Sequence, residues 1–262
     1  MYSENLERFL QLMRIMHNKM DREMLKDYVR ERVDFSQTDQ KKGVPMPPVQ
    51  KEIPEDTELI DLPDPDSLDV ETELLEAISD RRSRRSFTDE PLALEELSFL
   101  LWATQGVKKH TDHGHAYRVV PSAGCRHTFE TYIAAFKVDG LDQAIYRYIP
   151  LEHKLIKVTE YEDLEEKVTE AARGQSFVGD CAATFIWTTI PYRMEWRYGE
   201  ASYKVISLDA GHVCQNLYLS CEAIDAGTCA IGAYDQDLMD NLVEVDGEDE
   251  FTIYVAPVGK ID

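Results

Sequence analysis

Six of the eleven prolines fall between Pro45 and Pro65, in the stretch PMPPVQKEIPEDTELIDLPDP. Proline fixes φ and lacks an amide hydrogen, so neither a helix interior nor a central strand can run through this stretch. It predicts a linker or strap over the surface, spanning residues 36–66, and it divides the chain into two parts of different character. Before it, apolar residues recur at helical spacing from Asn5 to Val33: Leu6, Phe9, Leu10, Met13, Met16, Met20, Met24 and Tyr28. This predicts a long amphipathic helix within residues 1–35, whose methionines suit an adaptable contact face in the core or against a second copy. After it, residues 67–262 carry the signals of a compact domain.

A short helix through Leu74, Leu75 and Ile78 is expected to end at a run of arginines. A second runs from about Leu94 to Gln105, with Gly106 placed to stop it. Thr131 to Val138 and Ala144 to Ile149 read as strands joined at Asp139-Gly140, a strong hairpin signal, and Lys154 to Val158 extends the same sheet. Glu162 to Arg173 reads as an exposed acidic helix, Ala182 to Thr189 as a buried strand, Tyr203 to Ala226 as a long apolar helix and Glu250 to Ala256 as a strand. Helices and strands interleave without a β-α-β period, which predicts an α+β fold.

Charge and cysteine usage exclude several classes. Twenty-eight Lys+Arg against 50 Asp+Glu give a formal net charge of −22, a field that repels nucleic-acid backbones and anionic lipid surfaces. No apolar run reaches the length of a membrane span, and Met1 to Leu10 has neither the charged start nor the apolar centre of a signal peptide, so a cytoplasmic protein is expected. Five cysteines without a C-x-x-C pair argue against a disulfide framework or a thiolate metal site.

Against this acidic background, Arg81-Arg82-Ser83-Arg84-Arg85 stands out. Guanidinium groups suit forked hydrogen bonding of a phosphate, although charge at a helix C-terminus or ion pairs with surface carboxylates would also account for them. The thirteen glycines never form G-x-G, so no Gly-rich phosphate loop is available. Two short segments offer backbone for close approach to a planar ligand instead, although taken alone Pro121-Ser122-Ala123-Gly124 reads equally as an ordinary turn and Cys229-Ala230-Ile231-Gly232-Ala233 as a buried strand leading into the acidic stretch from Asp235. His110, His113 and His115 have no helical ligand spacing and no cysteine beside them, so no metal is expected. His212, Gln215 and Asn216 are polar positions in the long apolar helix and are expected to fix its packing, across a subunit interface or toward a ligand. Ser122 and His127 are near in sequence, but nothing identifies an orienting carboxylate for a triad. Asp235 to Glu250 holds eight acidic and no basic residues, which reads as a solvated face.

Taken in order, these segments resemble the FMN-dependent nitroreductase superfamily, and most closely its SagB-type dehydrogenase branch. The matching words are LPDP at Leu62 to Pro65, RRSRRSF at Arg81 to Phe87, LSFLLWATQGV at Leu97 to Val107 and RVVPSAGCRHTFETY at Arg118 to Tyr132. They continue with AIYRYIPLEHKL at Ala144 to Leu155, DAGHVCQNLYL at Asp209 to Leu219 and CAIGAYD at Cys229 to Asp235. The resemblance implies an α+β flavoprotein with a central, mainly antiparallel sheet flanked by helices, built as an intertwined homodimer with FMN at the subunit interface. By matching position, Arg81, Arg82, Ser83 and Arg85 would hold the flavin phosphate and ribityl chain, with Arg84 at the variable place of the motif. Pro121, Ser122 and Ala123 would wrap the ring from the opposite subunit. A backbone N–H of Ile231 or Gly232 would face flavin N5, and Lys260 would add charge at the phosphate.

The resemblance further implies an oxidoreductase that passes electrons from NAD(P)H through the flavin to a small electron-poor organic acceptor. That division of labour explains why no protein nucleophile is visible, because the cofactor carries the chemistry. Two alternatives stay open. One is SagB-type oxidation of an azoline or other peptide-derived ring; there a Lys-Tyr pair precedes the long helix, whereas this chain has Arg197-Tyr198, whose guanidinium cannot act as a base, leaving Tyr198 as the candidate proton-handling group. The other is a flavin-binding or regulatory protein without turnover.

Overall fold

The computed structural model describes residues 25–262; the helix expected from Asn5 lies almost wholly outside the described residues. Single helical turns at Val29–Arg32 (α1) and Asp39–Lys42 (α2) precede a two-residue strand, Ile60–Asp61 (β1). There follow helices Leu74–Asp80 (α3) and Leu94–Gln105 (α4), and strands Val107–His110 (β2), Ala116–Arg118 (β3), Phe129–Ala135 (β4), Ala144–Ile149 (β5) and Lys154–Thr159 (β6). Helix Leu164–Ala171 (α5), strand Ala183–Thr189 (β7) and helices Tyr192–Tyr198 (α6) and Ser202–Glu222 (α7) come next. Strand Ala226–Thr228 (β8), helix Gln236–Leu242 (α8) and strand Phe251–Lys260 (β9) complete the order.

Seven strands form one sheet in the order β1-β6-β5-β4-β7-β9-β8, antiparallel at every pairing. Both faces are covered, so the central strands read as unbroken apolar runs even though side chains alternate along them. Ile133, Phe185, Trp187 and Ala256 face α4 and α7 through Leu97, Leu100, Leu101, Val213 and Leu217. Tyr132, Ala134, Ile186 and Val255 face α5 and α8 through Leu164, Val168, Met239 and Leu242. Each of these fully buried leucines contributes about 1.5–3 kcal/mol of transfer free energy.

The proline-rich stretch differs from the expected surface strap in two ways. Ile60 and Asp61 lie between prolines with their own amides free, and they pair with Leu155 and Lys154 as an edge strand. Residues 44–63 are also laced into the body by buried donors. Trp196 Nε1 donates to Val44 O at 2.9 Å, Arg118 to Val49 O at 2.7 Å and Arg147 to Glu52 O at 2.8 Å. In return, Lys51 N donates to Glu130 Oε1 at 2.9 Å, and Glu130 is paired with buried Arg193 at 2.5 Å. The strap thus closes over a polar network that it helps to satisfy.

Candidate active site

The arginine segment leaves α3 and is fixed by backbone. Arg84 N donates to Thr228 O at 2.9 Å, Ser83 bridges to Thr228, and Thr88 N donates to Lys260 O at 2.9 Å. The approach needs glycine: a Cβ on Gly227 would lie 2.5 Å from Arg84 Cγ, and one on Gly259 would lie 2.8 Å from the Phe87 side chain. The guanidinium of Arg81 sits over the Tyr218 ring at 5.4 Å and that of Arg85 over Phe177 at 5.9 Å. Among the described residues none of Arg81, Arg82, Arg84 and Arg85 pairs with a carboxylate, and Arg84 Nε is buried without a partner. In a chain of net charge −22, unspent cationic donors held this way suit a phosphate.

Tyr218 on α7 joins this segment to the next. Its hydroxyl lies 3.0 Å from Ser83 Oγ and accepts from Ala230 N at 2.9 Å. The two amides beyond Ala230 differ. Ile231 N donates to Val255 O at 2.7 Å and is already spent, whereas Gly232 is exposed, its N–H has no partner among the described residues, and the place a Cβ would take on it is open. Of the two amides expected to face a ligand, only that of Gly232 is available. Lys260 also departs from expectation. Its ammonium, 12 % exposed, pairs with Glu96 and donates to Ile224 O at 2.7 Å, so its charge is matched inside the chain and it ties β9 to the start of α4.

The PSAG loop is anchored elsewhere on α7. Ala123 N donates to Asp209 Oδ2 at 3.1 Å, and Ser122 Oγ accepts from His127 N at 2.9 Å, so Ser122 meets the backbone of His127 and no triad forms. Burial pushes the Asp209 carboxyl above the usual carboxylate range. Gly124 has φ +60°, and a Cβ there would lie 2.7 Å from the Tyr198 hydroxyl and 2.8 Å from Arg197 Cδ. Tyr198 and the PSAG loop are therefore brought together. Asp209 and Tyr218 are nine residues apart, which on an α-helix is about 13.5 Å along the axis and a half-turn around it. Within one chain the arginine segment and the PSAG loop attach to opposite sides of α7.

Beneath the loop lies a group of buried cations. Arg118, Arg126 and Arg193 surround His127, and burial together with these charges pushes the imidazole pKa down to about 3. Arg118 donates to Gln105 Oε1 at 2.5 Å, and Arg126 packs over the Trp196 ring at 5.2 Å. The residues that sequence reasoning missed are Asp209 and Tyr218. Asp209 carried a signal, a carboxylate in the middle of an apolar helix; Tyr218 carried none. Of the polar positions expected to fix the packing of this helix, Asn216 does so within the chain, its Nδ2 donating to Ala103 O on α4 at 2.8 Å, while His212 and Gln215 are exposed on the single chain.

No helix of the described residues is long and apolar enough to cross a membrane. The Nitroreductase family model matches residues 78–260. The chain is 30 % identical over 205 residues to "Putative nitroreductase MJ1384" of Methanocaldococcus jannaschii, covering 78 % of this chain and 98 % of that protein. It is 26 % identical over 156 residues to the trifolitoxin-processing protein TfxB of Rhizobium leguminosarum bv. trifolii, covering 57 % of this chain and 41 % of that protein. Among solved structures, a "putative nitroreductase" from Ralstonia eutropha superposes with a TM-score of 0.65 at 26 % identity, covering 82 % of this chain and 98 % of that one. A chain of the E. coli microcin synthetase McbBCD complex shares the fold, with a TM-score of 0.58 at 16 % identity over 81 % of this chain and 84 % of that one. The chain, with its antiparallel sheet between two helical layers, belongs to the nitroreductase family.

Proposed function

We propose that this nitroreductase-family oxidoreductase binds FMN and transfers electrons from NAD(P)H to a small electron-poor organic acceptor such as a nitro compound or quinone. The observation that carries this reading is the arginine segment, whose backbone is fastened to Thr228, whose Ser83 hydroxyl meets Tyr218, and whose guanidinium groups have no carboxylate partner among the described residues. Arg81, Arg82, Ser83 and Arg85 would hold the phosphate and ribityl chain, with Arg84 Nε as a further unspent donor. Gly232 would offer its free amide to the ring edge, and Pro121, Ser122 and Ala123 would cover the ring. When bound, FMN supplies reversible two-electron uptake and delivery. The chain's own residues neutralise its phosphate, orient its ring and keep water from the reacting face.

Attachment of the two binding segments to opposite sides of α7 supports a homodimer in which each site takes its arginines from one copy and its PSAG loop from the other. Leu74, Leu75 and Ile78 of α3, exposed by 68, 74 and 54 %, and Leu208 of α7, exposed by 55 %, would supply apolar contact area for it. Five free cysteines suit a reducing compartment such as the cytoplasm. The test is turnover: protein reconstituted with FMN should oxidise NADH or NADPH in the presence of a nitroaromatic or a quinone. Failure with every acceptor, together with flavin that neither nicotinamide bleaches, would leave a flavin-binding protein without turnover.

A second reading, oxidation of a peptide-derived ring, is favoured by the packing of the Tyr198 hydroxyl against Gly124 of the PSAG loop. There Tyr198 would handle the substrate proton. Tyr198→Phe should then abolish ring oxidation while FMN stays bound, and retained turnover would dismiss this reading.

A further inference from the structure

Arg197 and Tyr198 close α6 with donors that the chain leaves unspent. Among the described residues the Arg197 guanidinium makes no hydrogen bond and pairs with no carboxylate, and the Tyr198 hydroxyl has no hydrogen-bond partner. Both are half-buried, within reach of a ligand. They meet at one point of the PSAG loop: a Cβ on Gly124 would lie 2.7 Å from the Tyr198 hydroxyl and 2.9 Å from Arg197 Nε. The missing side chain at Gly124 thus lets two donors stand as neighbours against the loop. Arg30 also lies over the Tyr198 ring, at 5.9 Å, but its charge is met by Asp27 at 2.9 Å.

The charge around these donors is positive and largely unmatched. Arg126 is 1 % exposed, its Nε and Nη1 have no partner, and no carboxylate pairs with it. Desolvation, and after it the charges of Arg126 and Arg197, hold the imidazole of half-buried His115 below its usual range. Of the buried arginines behind the loop, only Arg193 has a carboxylate, that of Glu130. Like charges gathered with so little compensation repel one another, and in a chain of net charge −22 the arrangement is costly. An anion seated on Arg197 would offset that repulsion.

The donors also give the anion's class. A planar guanidinium with a hydroxyl beside it matches a carboxylate, which accepts through both oxygens at once. Gly124 directly follows the three residues proposed to cover the flavin ring, so a carboxylate here belongs to a molecule lying against that ring. We infer that the electron acceptor is a planar aromatic carboxylate, its carboxylate held by the Arg197 guanidinium and the Tyr198 hydroxyl. This rests on the reading that Pro121, Ser122 and Ala123 cover the ring of bound FMN.

Calorimetric titration of the full-length, FMN-loaded protein tests it, with 4-nitrobenzoate compared against 4-nitrobenzamide, the neutral compound of the same shape. The carboxylate is expected to bind saturably and at least about tenfold more tightly than the amide. Arg197→Gln should erase that preference while FMN stays bound. Arg197→Lys, which keeps the charge and loses the fork, should retain part of it, and Tyr198→Phe should weaken carboxylate binding by a smaller factor. Lys157→Gln with Lys167→Gln, two cations paired with carboxylates on β6 and α5, should leave carboxylate affinity unchanged. FMN-loaded protein that takes the two compounds equally, or an Arg197→Gln variant that keeps the preference, overturns the inference and leaves the flavin reading intact. Equal weakening in the Lys157, Lys167 pair overturns it too, since the attraction would then be diffuse. A wild type that binds no FMN overturns the flavin reading and the inference together.

Discussion

The Tyr218 hydroxyl lies 3.0 Å from Ser83 Oγ, and the same oxygen accepts the amide hydrogen of Ala230. One phenol thus holds the arginine segment and the segment leading to Gly232 in a fixed relation. Tyr218→Phe leaves the Ala230 amide without its partner and frees Ser83. Stability should fall by about 1–3 kcal/mol, read by chemical denaturation. FMN affinity should fall with it, because both binding segments lose their common anchor.

Asp209 is buried and its carboxyl titrates above the usual carboxylate range because of desolvation. The folded state therefore holds a proton that the unfolded chain has released, and stability drops as pH rises from the unfolded value through the raised folded one. Asp209→Asn keeps an acceptor for Ala123 N without the charge. Its stability relative to the wild type should increase as pH rises from about 4 to 7, measured by urea denaturation at several pH values. A difference that stays flat with pH would contradict the burial argument.

His127 behaves in the opposite sense. Its pKa is depressed to about 3, so the imidazole stays neutral in the folded protein while the unfolded chain takes up a proton below about pH 6.5. This group costs stability as pH falls from there toward 3, by about 1.4 kcal/mol per pH unit. His127→Gln should flatten that acid limb, measured by melting temperature against pH.

The Glu130–Arg193 pair is buried on both sides and also receives the Lys51 amide of the strap. Arg193→Met strands a buried carboxylate, at a cost of about 3–5 kcal/mol. The same change should loosen the strap and speed protease cleavage between residues 45 and 60. Adding Glu130→Gln should recover much of the stability, since an amide needs no counter-charge.

Much of the fold could be read from periodicity, because local signals and tertiary structure agree there. The helix Leu94–Gln105 with Gly106 after it and the strand Ala144–Ile149 both lie where the sequence reading put them. The hairpin at Asp139-Gly140 shows the limit. β4 ends at Ala135, before Val138, because Phe136 N and Lys137 N turn to Ala182 O and Asp139 N donates to Leu92 O, leaving an eight-residue connection from 136 to 143. Those partners are remote in sequence and leave no local trace. The site divides in the same way. An arginine cluster is conspicuous in an acidic chain, whereas the roles of Tyr218, Asp209 and Lys260 depend on which remote backbone each side chain reaches.

The most direct measurement is FMN binding by flavin-fluorescence quenching, compared between the wild type and the Arg81→Ala, Arg85→Ala double variant. One FMN per chain is expected in the wild type. The double variant should bind at least about a hundredfold more weakly, since each charged hydrogen bond lost is worth roughly 1.5–3 kcal/mol. Equal affinity in the two proteins, or a wild type that binds no FMN, would contradict the assignment of the arginine segment to the cofactor phosphate.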